Sequence, residues 1–216
     1  MKPGFGFMRI DPAGWPFIGG ALAMAVLAAF AISSAVGMAL LVLAAVFLFF
    51  FRDPDRAVTQ SPNAVLSPAD GRVIVAGPTT GQDLPAGSWQ QISIFLSPMD
   101  VHVNRMPVGG RVSRVRYHRG RFLPAYRAEA GDLNEYTEVW INHNGKTIVV
   151  RQIVGILARR IVCRTKEQDE VQAGQRFGVM KFGSRMDVFV PASARITVKV
   201  GDRVVGAVSV IATLVE

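Results

Sequence analysis

From Trp15 to Phe51 the chain carries no charged residue, an uninterrupted run of 37 positions. A bilayer core of about 30 Å is crossed by about 20 helical residues, so this run is too long for one untilted crossing. It divides at Ser33-Ser34 into 15–32 and 35–51, each just long enough to cross. The pattern predicts a helical hairpin over 15–51, with one long tilted or bent helix as the alternative. Gly19, Gly20 and Gly37, set among alanines, would let two helices approach closely. A cleavable leader has an apolar core of about 7–15 residues ahead of a small-residue cleavage site. Here the apolar run continues into Phe47-Leu-Phe-Phe-Phe51 and Arg52, which predicts a retained transmembrane anchor.

Past Pro54 the texture changes to short β-branched runs bounded by Gly, Pro, Asp and Asn. Gly71-Arg-Val-Ile-Val-Ala-Gly77, Gln91-Ile-Ser-Ile-Phe-Leu96, Arg111-Val-Ser-Arg-Val-Arg-Tyr117 and Glu138-Val-Trp-Ile-Asn142 are examples. Thr147-Ile-Val-Val-Arg-Gln-Ile-Val154 and Ala194-Arg-Ile-Thr-Val-Lys-Val200 follow the same rule. Period-2 alternation with regularly spaced turn signals predicts a mainly β domain, a barrel or barrel-sandwich, behind the helical anchor. The expected division is an anchor over 1–56 and a β-rich body over 57–216. A faint internal echo links Gln168-Asp-Glu-Val-Gln-Ala-Gly174 to Gly201-Asp-Arg-Val-Val-Gly206, each followed by an apolar strand.

Composition sharpens this division. The chain is 50% hydrophobic and 19% charged, which excludes intrinsic disorder. Of its 24 Lys+Arg and 16 Asp+Glu, only Lys2, Arg9 and Asp11 precede Arg52, so the body carries the basic excess. Those cations are dispersed along strands, and a chain tethered to a bilayer meets anionic head groups first. A basic surface facing the membrane is expected, with no nucleic-acid partner. Lys2 and Arg9 before the anchor and Arg52 and Arg56 after it place both ends, and the body, on the cytoplasmic side of the cell membrane. The lone Cys163 lies in the apolar run Ile161-Val162-Cys163 and reads as a buried small hydrophobe, with no internal disulfide.

Candidate chemistry is confined to two segments. His102, His118 and His143 have no carboxylate at metal-ligand spacing, so no metal site is expected. No Gly-rich phosphate loop and no Gly-x-Ser-x-Gly elbow occurs. In Ser97-Pro-Met-Asp-Val-His-Val-Asn-Arg-Met-Pro107, Asp100, His102 and Asn104 alternate and would share one face of a strand. A carboxylate two residues from a histidine can orient it for acid–base work; the alternative is the polar side of an edge strand. In Lys181-Phe-Gly-Ser-Arg-Met-Asp-Val-Phe-Val-Pro191, Gly183-Ser184 lies between apolar strands. Such a pair is ordinarily a turn. It also has a specific potential, because glycine permits strained backbone and the next hydroxyl can attack the glycine carbonyl. Val179-Met180-Lys181-Phe182 resembles the modified-lysine hairpin of biotinyl and lipoyl carrier domains, a rival reading as a binding module.

Taken with the anchor, these segments resemble the phosphatidylserine decarboxylase proenzymes of the short bacterial and archaeal form. The matching stretches are Phe49-Phe-Phe-Arg-Asp-Pro-Asp-Arg56, Leu66-Ser-Pro-Ala-Asp-Gly71, Phe95-Leu-Ser-Pro-Met-Asp-Val-His-Val-Asn-Arg105, Asn134-Glu135 and Phe182-Gly-Ser-Arg-Met-Asp187. The resemblance implies self-cleavage between Gly183 and Ser184 into a β chain of residues 1–183 and an α chain of 184–216. These would stay together as a heterodimer able to assemble further. Ser184 would become a covalent pyruvoyl group that forms a Schiff base with phosphatidylserine in the bilayer, with no pyridoxal phosphate and no metal. Loss of carbon dioxide would then give phosphatidylethanolamine. Asp70 and His102 occupy the positions of the assisting acid and histidine, and His102 would reprotonate the substrate. The long form carries a second histidine three residues after the first; here that position is Arg105. A pyruvoyl enzyme acting on a soluble amino acid is a further alternative, against which the anchor argues.

Overall fold

The computed structural model describes residues 8–80, 83–156, 160–181 and 183–215; Lys2 and Phe182, used above, lie outside them. The uncharged run folds as two helices, α1 (Trp15–Ala31) and α2 (Ser34–Phe50). The break falls where Ser33 turns extended and its Oγ accepts from the Val36 amide at 3.3 Å, capping α2. Gly37 is needed here by close approach, because a Cβ on it would lie 2.7 Å from that of Ala29. Gly19 and Gly20 have open space instead, so only one of the three glycines serves the helix contact. Phe17 of α1 lies 5.7 Å from Phe47 and 5.6 Å from Phe51, between ring centroids. Beyond these rings, β1 (Met8–Ile10) pairs antiparallel with β2 (Arg52–Pro54), so the chain enters and leaves the helix pair at one end. Outward faces are apolar, with Leu27, Phe30 and Ile32 strongly exposed. With its leading 3-10 turn, the first helix (Pro12–Ala31) is long and apolar enough to cross a membrane.

The chain divides into two compact units between Asp55 and Arg56. Arg56 belongs to the body because its guanidinium is paired with Asp70 at 2.7 Å.

The body's strands are β3 (Ala64–Leu66), β4 (Gly71–Thr79), β5 (Trp89–Leu96), β6 (Val103–Arg105), β7 (Gly110–His118), β8 (Tyr136–His143) and β9 (Lys146–Ile153). They continue as β10 (Ile161–Cys163), β11 (Glu170–Val171), β12 (Arg176–Met180), β13 (Ser184–Pro191), β14 (Arg195–Ile196), β15 (Arg203–Val204) and β16 (Val210–Thr213). Among the described residues, an eight-stranded antiparallel sheet runs β11-β7-β8-β9-β13-β5-β4-β15. It curls into a half-barrel. Two three-stranded sheets, β10-β12-β6 and β14-β16-β3, complete the body. The only helix described there is the four-residue α3 (Ala130–Leu133).

Alternation gives the large sheet two unlike faces. Ile92, Ile94, Leu96, Ile148, Val150, Met186 and Val188 fill the main core. Each such side chain contributes about 1.5–3 kcal/mol by leaving water. The opposite face buries charge: Arg151 and Glu138 pair at 3.0 Å, and Arg185 and Asp187 at 2.6 Å. The Arg151 guanidinium also lies over the rings of Tyr136 and Phe189, 4.8 Å from each centroid.

The sequence echo at 168–174 and 201–206 marks an internal two-fold. β11 and β15 are the two edge strands of the large sheet, and β11-β7-β8-β9 is matched in reverse by β15-β4-β5-β13. The Leu66 amide donates to the Pro107 carbonyl and the Arg105 amide to the Pro68 carbonyl, both at 2.8 Å. Likewise the Val73 amide donates to the Asp202 carbonyl and the Val112 amide to the Asp169 carbonyl, both at 2.9 Å.

Glu138→Gln removes the carboxylate that faces a buried guanidinium and should lower stability by about 3 kcal/mol, read from the urea midpoint of the purified chain. Glu138→Leu combined with Arg151→Met should recover most of that loss.

Candidate active site

Gly183 closes the connection into β13 with φ +70, a left-handed conformation; a Cβ there would meet nothing within 4 Å, so conformation rather than space calls for glycine. Ser184 follows as the first residue of β13, paired with Leu96 at the end of β5. It is fully buried, and its Oγ has no hydrogen-bond partner among the described residues. A hydroxyl in that position is costly unless it has a use, since burial without a partner forfeits about 1–3 kcal/mol.

The same end of β5 gathers the other candidates. On its far side Arg72 of β4 faces Phe95, which places Asp70 just beyond that end of the sheet. Asp70 Oδ2 accepts from Arg56 and Oδ1 from the Gly206 amide, each at 2.7 Å. The chain leaving Leu96 turns through residues 97–101 and reaches His102, whose carbonyl accepts from the Met180 amide at 3.3 Å. Met180 in turn ends β12, three residues before Gly183. Register therefore brings the Ser184, His102 and Asp70 segments to one end of the sheet.

Asp100 acts differently from expectation. Asp100 sits on a bend and residues 101–102 lie outside any strand, since β6 begins only at Val103, so strand alternation does not govern them. The Asp100 carboxylate turns back to the Ser97 amide at 2.8 Å and to Arg203 Nη1 at 3.1 Å. Its main-chain carbonyl is what holds His102, at 2.9 Å from Nδ1. A carbonyl only accepts, so Nδ1 carries a proton and Nε2 is the nitrogen left to exchange one. His102 is buried, as are Asn104 and Arg105, which excludes the solvent-facing edge alternative. Asn104 accepts from Gln152 Nε2 at 2.8 Å, and Arg105 Nη1 donates to the Gly174 carbonyl at 3.3 Å. Arg105 thus ties β6 to the turn before β12.

The other histidines lie elsewhere. His143 bridges the carbonyls of Gly109 and Pro62, at 2.6 and 3.1 Å. His118 stacks on Tyr136, with Nε2 3.7 Å from Glu138. Among the described residues no group of three potential metal ligands occurs. Lys181 does not cap a β-hairpin: β12 and β13, on either side of it, belong to different sheets. Cys163 is partly buried in β10, and desolvation pushes its thiol above the usual range, which disfavours the reactive thiolate.

A second polar cluster escaped the sequence reading. Arg185 grips Asp187 through Nε and Nη2, and Nη2 also donates to Ser93 Oγ at 3.0 Å. Gln91 Nε2 donates to Asp187 Oδ2 at 3.0 Å, and Gly131 of the overlying loop packs on the Arg185 guanidinium. Gln91, Gly131, Arg185 and Asp187, with Arg151 and Phe189, line a cavity of about 320 Å³ on the face opposite the main core. The available signal was charge at alternate positions of otherwise apolar strands, Arg185 and Asp187 against Glu138 and Arg151. Asn134, quoted above only as part of a matching stretch, pins that loop by donating to the carbonyls of Leu123 and Val154, both at 2.8 Å.

Comparison with known proteins places this geometry in a family. A sequence model described as phosphatidylserine decarboxylase matches residues 43–212. A phosphatidylserine decarboxylase proenzyme of Desulfotalea psychrophila is 40% identical over 192 residues, covering 88% of this chain and 90% of the relative. That of Chlorobium phaeobacteroides is 44% identical over 83% of this chain and 81% of its own. That of Symbiobacterium thermophilum is 42% identical over 93% and 94%. A family match over most of the body and relatives covered nearly end to end leave no room for the carrier-domain reading: the chain belongs to the phosphatidylserine decarboxylase family, and it is a decarboxylase made as a proenzyme.

Proposed function

We propose that the chain cuts itself between Gly183 and Ser184 and that the resulting pyruvoyl enzyme converts phosphatidylserine in a bilayer to phosphatidylethanolamine and carbon dioxide. The observation that carries this reading is the buried Ser184 hydroxyl, lacking a hydrogen-bond partner, directly after a glycine held at φ +70. Ser184 Oγ attacks the Gly183 carbonyl carbon, the peptide C–N bond breaks, and the hydroxyl proton passes to the departing nitrogen. The product is an ester with a free amine on Ser184. Loss of the Ser184 Cα proton expels the Gly183 carboxylate; water then replaces the nitrogen and ammonia leaves. In balance, one water enters and one ammonia departs. The ketone so made supplies the electron sink that decarboxylation of an amino acid requires and that no ordinary side chain offers.

The rest of the chemistry belongs to side chains. His102, held through Nδ1, presents Nε2 for proton transfer to the substrate carbon. Asp70 holds Arg56 and the turn at Gly206 beside it. The fragments have no reason to part, because β13 is paired on both edges, with β9 and β5, and β16 pairs with β3. The helical hairpin gives access to a substrate that stays in the bilayer. Arg9 and Arg52 at its common end favour the cytoplasmic side for the body.

Ser184→Ala lacks both nucleophile and leaving group, so it should stay whole and be inert towards phosphatidylserine. The wild-type fragments should together weigh one water more and one ammonia less than the precursor by intact mass. Simple hydrolysis, which adds water alone, would refute the pyruvoyl step. His102→Ala should still be cut but turn over about 10²–10⁴-fold more slowly, whereas Asp70→Asn should slow the cut itself; both are read by gel and by released carbon dioxide. Protease added outside sealed cells should spare the body, and its digestion would overturn the orientation.

A further inference from the structure

The ladder between β9 and β13 pairs Ile153 with Arg185, and in the same register Gly155 stands opposite Gly183. There the two segments come too close for a Cβ, as also happens at Gly71, Gly110 and Gly178. A Cβ added to Gly155 would lie 2.0 Å from the Gly183 carbonyl oxygen and 3.2 Å from its carbon. The obstructing atom is backbone, so no side-chain rotation could relieve the overlap. On another side, the Ala125 methyl would be 3.3 Å from the same point. The segment is also tied down: the Val154 amide donates to the Glu135 carbonyl at 3.1 Å, and the Val154 carbonyl accepts from Asn134 at 2.8 Å.

We infer that Gly155 is a positioning residue for the self-cleavage proposed above, on which this inference rests. Its bare Cα is the seat against which the Gly183 carbonyl oxygen lies, and that seat fixes which face of the carbonyl carbon is presented to Ser184 Oγ. Gly155 makes and breaks no bond. The oxygen it seats is the one on which negative charge develops as Oγ attacks, so its placement is felt in the transition state. An alanine would drive that oxygen away by about 1 Å, a misplacement that costs about 10²-fold in rate.

The test is the self-cleavage rate of full-length Gly155→Ala, followed by intact mass after pulsed cell-free synthesis into detergent. Ala125→Val serves as control, since it adds bulk to the same wall from another segment of the chain. Gly155→Ala should cut about 10²-fold more slowly than wild type, while Ala125→Val cuts within a few-fold of it even if its melting temperature falls as far. Molecules of Gly155→Ala that do mature should turn over normally per mole of ketone group, a result that general damage to the fold would not give. Wild-type cleavage by Gly155→Ala overturns the inference, as does equal slowing in Ala125→Val. Should Gly155→Ala fail to fold, Gly155→Ala with Ala125→Gly opens the wall but not the carbonyl, and wild-type cleavage there overturns the inference equally. A wild-type chain that stays whole would sink the self-cleavage reading instead, so the two failures are told apart.

Discussion

The pairing of β13 on both of its edges is the constraint from which the rest follows. Its first residue, Ser184, is already in register with Leu96, and its second, Arg185, with both Phe95 and Ile153. Everything downstream of the Gly183–Ser184 bond is therefore fixed, while the atoms upstream reach it through a single left-handed glycine. A hydroxyl buried on a fixed strand next to a carbonyl on a turn is a defined geometry. An exposed loop would offer the same two groups in many arrangements, few of them reactive.

That fixed strand also separates two kinds of interior. One face of the sheet is closed by aliphatic side chains; the other holds two buried ion pairs under the loop that Asn134 pins. Ion pairs of this sort contribute little net stability against an apolar replacement. Their hydrogen bonds are directional, however, and Arg185 reaches Asp187, Ser93 and the Arg127 carbonyl at once. The two partners outside β13, Ser93 on β5 and the Arg127 carbonyl, fix the position of the residue next to Ser184 in a way that apolar contact does not.

Much of this was legible in the sequence because periodicity reports burial. The uncharged run gave the helix pair, and Ser33 its break; alternation gave the strands. The Gly183-Ser184 pair and the Asp70 and His102 segments were recognisable as motifs. What failed was local geometry where periodicity stops. Asp100 and His102 alternate on paper, yet they lie outside any strand, so a carbonyl took the role expected of a carboxylate. Gly155 could not be singled out, since its importance lies in an atom it lacks and in a partner 28 positions away in the chain. The buried Arg185 cluster was hidden for a related reason: charge in a strand reads as exposure until its counter-charges are placed on neighbouring strands.

The internal two-fold gives the candidate site a counterpart within the same molecule. Lys146 opens β9 as Ser184 opens β13, each after a glycine with positive φ, Gly145 at +81 and Gly183 at +70. The Leu214 amide meets the Asn63 carbonyl as that of Met180 meets His102, so Asn63 stands where the other half has its histidine. Gly109 corresponds to Asp70. At one end the frame makes an Asn-Gly hairpin turn joining β8 directly to β9; at the other, β5 and β13 pair in the matching register but are not consecutive in the chain, and Gly183 is reached from β12. The first end is thus a closed turn, whereas the second is open to the segments that carry His102 and Asp70. For the proposed self-cleavage, the open end is the one that can bring segments distant in the chain beside Ser184, which a two-residue turn could not do.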